Sequence, residues 1–573
     1  MSAARIMEYL DARRLTGPNL LWDLPGSILD VRCAPEEARQ VIDTWSAAVR
    51  RMLDAVGWQD ESLCVHELTG GVSLAFSAPI DALYSATEIN EWAWSVLEAG
   101  SGAPDDEALR AKAAEIRDAI DEECNPPLLE LRAAADAAGV AFLWDDDDVS
   151  IGHGCGSATW PVRDLPAANS LDWSRFHDVP VGIVTGTNGK TTTVRVATHL
   201  ARTAGRRTGV SCTDWIAVDD EIIDRGDWSG PGGARNVLRQ QNVELAILET
   251  ARGGLLRRGL GVERADAALI TNVAEDHLGD FGSQTLDELL DIKWVVSRAV
   301  RSDGVLILNA DDERLVAKAA DYPGAIQWFS IRAGNPVVEG HLGSGGTAWY
   351  LDGDDLVRAE GGRRDRLCAA RDVPITLDGA ARHNVANALS ASALTAALGV
   401  PLDAIVDGLK SMDQTANPGR SNLFEVNGAT FIVDFAHNPH AMQALFDMAS
   451  AIPANRRLLA FGQAGDRTDR QIRELARCAW AIGLDQVAVS ELAKYHRGRS
   501  HGEVFGLIRD ELIDSGADTT QVHHFEEEIE ALDYALEWAR SGDLVLFLAL
   551  ASGQAICDRL ASASRSTRNR TEH

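Results

Sequence analysis

The chain has few cysteines for its length, and they follow no pattern. Cys33, Cys64, Cys124, Cys155, Cys212, Cys368, Cys478 and Cys557 are scattered, with no CxxC pair among them. Such spacing offers neither a disulfide framework nor a thiolate zinc site, and it fits a protein of the reducing cytoplasm. Long apolar runs are missing as well. The opening MSAARIMEYLDARRL lacks the apolar centre of a signal peptide, and no later run approaches membrane-spanning length, so a soluble protein is expected. Positive charge is scarce: 54 Lys and Arg stand against 86 Asp and Glu, a formal net charge of -32. A polyanion is repelled by such a surface, which argues against nucleic acid and anionic membranes as partners and favours a cationic substrate. Most of these carboxylates serve as solvated surface. What is present is the balance of a globular protein, 45% hydrophobic and 24% charged over 573 residues, a length that implies about three domains.

Residues 1–165 mix helical periodicity with short strands, and 105–138 reads as one or two amphipathic helices broken at Asn125, Pro126 and Pro127. The acidic run WDDDDVS, 144–150, reads as a solvated turn, because four consecutive carboxylates cannot converge on one ion without an arranged loop. ATWPVRDLPAANSLDW, 158–173, has the prolines and polar residues of a linker. From about 177 the pattern becomes α/β, with strands expected at VGIVT (181–185), ELAILET (244–250), ADAALITNV (265–273) and GVLILNADD (304–312). The Gly- and Asp-rich segment 337–375 reads as irregular or β-hairpin structure. A second α/β series follows Pro418, at TFIVDFAHN (430–438), RRLLAFGQAGDR (456–467), DQVAVSE (485–491) and DLVLFLAL (543–550). Parallel sheets bind ligands at the carboxyl ends of their strands, so the residues just after these runs are the candidates for chemistry.

The strongest motif is GTNGKTT: Gly186, Thr187, Asn188, Gly189, Lys190, Thr191 and Thr192. It follows a strand and opens a helix. Glycines there let backbone N–H groups approach phosphate oxygens, Lys190 can neutralise the β and γ phosphates, and the Thr191 hydroxyl can ligate Mg2+. The first glycine of the commonest P-loop spacing would fall at Val184, so this is the shorter GTxGKT form. The NKxD guanine motif is absent, which favours ATP. Glu249 ends one strand and His277 follows another, where a metal bound to nucleotide phosphates would sit.

Taken together, these residues resemble the Mur ligase superfamily. ETARGGLLRRGL (249–260), TNVAEDHLG (271–279), RHNVANALSA (382–391), NPGRSNLFEV (417–426), VDFAHNPHAM (433–442) and GDRTDRQIREL (465–475) are similar to its cyanophycin synthetase branch. The resemblance implies an α/β fold: a P-loop central domain at 177–415 and a Rossmann-like C-terminal domain at 416–573, preceded by an α+β domain at 1–165. It also implies Lys190 and Thr191 on phosphates and Mg2+, Glu249 and His277 on metal, Asn387 near adenine, Asp434 on ribose and Arg420 on the γ-phosphate. His437 and Asn438 lie beside that site. Lys293 matches a lysine that several members carbamylate, or it is an ordinary helix lysine.

The implied reaction joins an amino acid or other amine to an amino-acid or peptide carboxylate through an acyl phosphate, using ATP. Arg252, Arg257 and Arg258 either clamp the acceptor carboxylate or serve as salt-bridged scaffold. Asp466, Arg467, Glu491 and Arg497 match the region where members bind the incoming amino acid, and the two acids suit a cationic amine. A homo-oligomer is also implied. TGPNLLW (16–22) and GHGCGSATW (152–160) resemble the N-terminal part of that branch, but the ATP-grasp domain that would lie between them and the Mur part is missing, so a single kind of ligation is expected. HELTGGVSLAF (66–76) and NEWAWSVLEAG (90–100) are either a binding face or a packed strand and helix. The alternatives are a non-catalytic nucleotide-binding assembly or regulatory protein, against which the intact motif set argues, and a P-loop ATPase coupled to motion.

Overall fold

The computed structural model describes residues 7–100, 106–276 and 285–571, with side chains through Arg565. All eight strands expected from the α/β runs form, and they divide between two sheets. The larger sheet has a parallel centre of seven strands. In spatial order these are Thr208–Ser211, Leu245–Glu249, Val181–Thr185, Ala265–Ile270, Val300–Asn309, Ala325–Ser330 and Thr347–Asp352. Antiparallel strands extend both ends: Trp215–Val218 and Glu221–Arg225 on one side, Asp355–Glu360 and Arg363–Ala369 on the other. The segment 337–375 is therefore an ordered part of this sheet, entered through the helix Pro336–Gly343. Successive strand residues face opposite sides, so Ile183 joins one apolar layer and Val184 the other, and the parallel strands read as continuous apolar runs because both faces are covered.

The second sheet orders Asn422–Val426, Ala429–Asp434, Leu544–Leu548, Arg457–Phe461, Gln486–Ser490 and Val522–Phe525, all parallel except the first. Its centre alternates in the same way, with Leu544, Leu546 and Leu548 in one layer and Val545 and Phe547 in the other.

The N-terminal region is α+β. An antiparallel sheet ordered Glu8–Leu15, Gly26–Arg32, Gly71–Ser77 and Leu63–Leu68 carries the helices Pro35–Val56 and Leu83–Ala99. Two further helices, Asp106–Glu123 and Pro126–Ala138, meet at the Asn125–Pro126–Pro127 break. Within the two segments weighed as a binding face, Val72, Leu74, Phe76, Ala93, Val96 and Leu97 are buried, the pattern of a packed strand and helix. The linker expectation for 158–173 needs correcting. Ala158–Pro161 is a strand, and Trp160, Leu165, Leu171, Trp173 and Phe176 pack on the N-terminal core, because the aromatic side chains interspersed among the prolines have apolar surface to bury.

The acidic turn also does more than meet solvent. Arg239 donates to Asp145 Oδ2 at 2.7 Å, to Ser150 Oγ at 3.0 Å and to the Asp148 carbonyl at 2.8 Å. The TGPN segment adds backbone contacts: Thr16 N–H donates to Arg258 O at 2.9 Å, and Leu260 N–H to Pro18 O at 2.7 Å. Gly152, Gly154 and Gly156 allow the GHGCGS turn to close on His177 and Val243, where Cys155 N–H donates to Val243 O at 2.7 Å.

Candidate functional site

The loop 186–189 leaves the carboxyl end of Val181–Thr185, the middle strand of its neighbours, and runs into the helix Lys190–Thr203. Its shape requires glycine at two points. Gly186 has φ 144° and Gly189 φ 86°; a Cβ would run into the Thr271 hydroxyl at the first and the Asn387 carboxamide oxygen at the second. The residues after Ala265–Ile270 clamp the loop: Thr187 N–H donates to Asn272 O at 2.9 Å, Asn188 N–H to Asn272 Oδ1 at 3.0 Å, and Thr271 Oγ1 to Asn188 O at 2.7 Å. Lys190 Nζ folds back to Thr187 O at 3.0 Å.

Glu249 lies buried at the end of its strand and accepts from Thr213 Oγ1 at 2.7 Å; Thr213 Oγ1 is in turn 3.4 Å from Thr191 Oγ1. A carboxylate, two hydroxyls and the first turn of a helix thus share one corner. Oxygen donors of this kind suit Mg2+, and the glycine cradle suits phosphate. His277, the expected imidazole partner, lies outside the described residues, and among those described no group of three or more His, Cys, Asp or Glu is disposed to hold a metal.

Lys293 is buried on the helix Leu286–Trp294 and donates to Gly186 O at 2.8 Å. Burial, reinforced by the charges of Lys190 and Arg252, pushes its amine well below the ordinary lysine value, against the pull of Asp276. Asp276 itself accepts from Arg467 at 2.7 Å and stands 3.5 Å from His437 Nε2. The other ring nitrogen of His437 donates to Phe435 O at 3.0 Å, which fixes the ring.

The second sheet reaches the same loop. Asn438 and Asn188 exchange amide hydrogen bonds at 3.0 and 3.3 Å, and Asn188 also meets His440 Nδ1 at 2.9 Å. Asn438 caps the helix Pro439–Ser450 through Ala441 N–H. Arg195 donates to Asn417 Oδ1 at 3.2 Å and to Asp214 at 2.5 Å, and Arg420 stacks on Phe435 at 4.1 Å with Asp214 3.8 Å away. Asp434 ends its strand accepting from Ser421 N–H at 2.7 Å and Oγ at 2.9 Å. Buried Asn387 faces Gly189 and accepts from Thr193 Oγ1 at 3.3 Å.

The structure thus gathers the loop residues with Glu249, Lys293, Asn387, Arg420, Asp434, His437 and Arg467. It does not gather the rest. Arg258 caps the helix Arg252–Arg257 and donates to Arg14 O at 3.2 Å, facing the N-terminal strand, and Arg257 is exposed. Arg252 is near enough to act on Lys293 electrostatically. Asp466 is engaged by Arg497 at 2.8 Å. Both Glu491 oxygens are taken, Oε2 by His496 at 3.0 Å and Oε1 by His524 at 2.9 Å and Gly502 N–H at 3.0 Å. Both acids thus have internal partners, while Asp466 Oδ1 is buried without a hydrogen-bond partner among the described residues.

Sequence reasoning passed over Thr213, Asp214, Asn272, Asp276 and His440. Thr213 and Asp214 follow Thr208–Ser211, a strand of four residues too short to show periodicity. Asn272 and Asp276 stood inside a motif already marked, at the carboxyl end of a recognised strand.

These features define a class, that of α/β proteins whose P-loop sheet and second parallel sheet meet across one glycine loop. The family model of the Mur ligase middle domain matches residues 184–395, and that of the Mur ligase glutamate ligase domain matches 419–550. The chain belongs to the Mur ligase superfamily. It is 35% identical over 370 residues to a cyanophycin synthetase of Crocosphaera subtropica, covering 64% of this chain and 42% of that relative. The match therefore spans about two fifths of the length of that relative. A UDP-N-acetylmuramoyl-L-alanyl-D-glutamate–2,6-diaminopimelate ligase of Bacillus velezensis is 25% identical over 377 residues, 63% of this chain and 71% of that one. Among solved structures, E. coli FolC in complex with DHPP and ADP covers 67% of this chain and 89% of its own, at 20% identity and a TM-score of 0.48.

Proposed function

We propose that this chain is an ATP-dependent carboxylate–amine ligase that forms an amide or isopeptide bond through an acyl phosphate, with an amino acid or short peptide as substrate. The observation that carries the reading is the convergence of both sheets on the 186–190 loop, with Glu249 and Lys293 beside it. In this reading the loop N–H groups and Lys190 hold the phosphates, Arg420 balances charge on the γ-phosphate, Asn387 and Asp434 receive the base and ribose, and Glu249 with Thr191 and His277 would hold Mg2+. Mg2+ supplies charge neutralisation of the phosphates when bound. The substrate carboxylate attacks the γ-phosphorus and ADP leaves; the amine then attacks the acyl carbon and phosphate leaves. Positioning and preorganised charge are what such a transfer requires, because a free carboxylate does not react with amines. His437 and Arg467 flank the face where the amine would enter. Lys293, buried and with its amine pushed well below the ordinary lysine value, is suited to carbamylation, which would give it a carboxylate toward the metal. Residues 1–165 would hold the acceptor or join copies of the chain in a homo-oligomer of the cytoplasm.

The test is phosphate release from ATP and Mg2+ across amino acids and short aspartyl or glutamyl peptides, with mass spectrometry of the products. Release that needs both a carboxylate and an amine, and that Lys190→Ala abolishes, is the expected result. ATP binding with no product across the panel would favour the non-catalytic alternative. The same assay after removal of dissolved CO2 reads Lys293: activity should fall and return with bicarbonate.

A further inference from the structure

Glu491 is a buried acid at the carboxyl end of Gln486–Ser490, and everything around it ties one loop shut. His496, from within the loop, and Gly502 N–H, from its far end, both bond to the carboxylate that begins it, at 3.0 Å each. His524, from the neighbouring strand Val522–Phe525, supplies the third bond at 2.9 Å and is itself stacked on Phe505, centroids 4.0 Å apart and planes within 10°. The loop so closed grips a second one. Tyr495 O accepts from Gly465 N–H at 2.8 Å, Arg499 donates to Gly465 O at 3.0 Å and to Arg467 O at 2.7 Å, and Arg497 pairs with Asp466. Arg467, held from behind through its own carbonyl, reaches forward to Asp276 in the first sheet at 2.7 Å.

We propose that Glu491, His496 and His524 form a positioning clamp, which fixes the 491–502 loop and through it the placement of Arg467 on Asp276. Charge is used here to set geometry at the face beside His437, and the incoming amine does not touch it. The chemistry suits the task. A buried carboxylate with three donors is rigid, and removing one donor loosens the loop while leaving the strand beneath it intact. Only the last step, from Arg467 to the amine, rests on the ligase reading.

The experiment separates the two. Backbone hydrogen exchange, followed by mass spectrometry on the full chain, is compared for wild type, Glu491→Ala, His524→Ala and His524→Gln, the last keeping an N–H donor near the Nε2 position. Exchange over 464–469 should quicken about tenfold in His524→Ala, as for one lost charge-assisted hydrogen bond, more in Glu491→Ala, which removes all three, and return toward wild type in the glutamine variant. Exchange over 544–548 and the affinity for MgATP should hold. Unchanged exchange over 464–469 in His524→Ala overturns the clamp, as does quickening spread evenly over the second sheet in that variant. With a ligation assay in hand, the alanine variants should raise KM for cationic and neutral amines alike with little change in kcat. A loss confined to cationic amines would make Glu491 a binding carboxylate and overturn the proposal. If wild type ligates nothing, the exchange data still decide the clamp, and the ligase reading alone falls.

Discussion

Gly186 and Gly189 show how far single residues decide this site. Each sits at a positive φ with a polar side chain where a Cβ would go. Gly186→Ala and Gly189→Ala should each cost about 1–3 kcal/mol of local strain, read as weakened MgATP binding in calorimetry with a smaller fall in Tm. His383 gives a second residue-scale outcome. It is half-buried beside Ser421, and desolvation pushes its imidazole below the ordinary 6.5, against the pull of Asp434. Below pH 6.5 the unfolded chain takes up a proton that the folded one refuses, so stability falls with pH from there until the lowered folded value is reached. His383→Gln should flatten that part of the Tm–pH curve. Such residues were legible where their chemistry is sequence-local, as in the glycine loop. They were illegible where partners come from afar: nothing near Glu491 in the chain announces His524, and Asp466 and Glu491 looked free because Arg497, His496 and Gly502 can turn back on them only once the loop has folded.

Elements were legible in proportion to their apolar continuity. Parallel strands buried on both faces showed themselves as unbroken runs, and each of the eight recognised formed a strand. Short or antiparallel edge strands carry no such run: Thr208–Ser211 was missed, and Asp355–Glu360 fell in a segment read as irregular or β-hairpin, of which the hairpin forms. The helix Leu286–Trp294 illustrates an element whose ends matter to the site. Thr285 caps it by accepting from Glu288 N–H at 3.2 Å, while the Glu288 side chain accepts from Thr285 N–H at 2.9 Å. Thr285→Ala should cost about 1 kcal/mol, seen as a lower Tm, and should slow ATP turnover further because the same helix carries Lys293 to Gly186.

At the scale of the whole molecule, the N-terminal region is seated on the larger sheet by polar contacts that sequence patterning cannot reveal. Arg239 donates three bonds to the acidic turn, and Arg132 pairs with Glu263 at 2.8 Å. Arg239→Ala should cost about 1–3 kcal/mol, expected as a lower first transition in calorimetry and a protease-resistant remainder beginning near the P-loop sheet. The seat was not legible in the sequence, because WDDDDVS reads as solvated until Arg239, nearly a hundred residues later, is brought against it.

The strand Val181–Thr185 lies in the middle of its sheet, yet it is the first of that sheet to be synthesised. Its flanking strands and the Thr271–Asn272 clamp are made some sixty to ninety residues later, and Asn438 follows Asn188 by 250. During synthesis the glycine loop therefore emerges before the residues that clamp it. On the proposed function, a chain stalled before Asn438 carries the motif and its Thr271–Asn272 clamp but lacks the contacts from the second sheet, and should bind MgATP more weakly than the full chain.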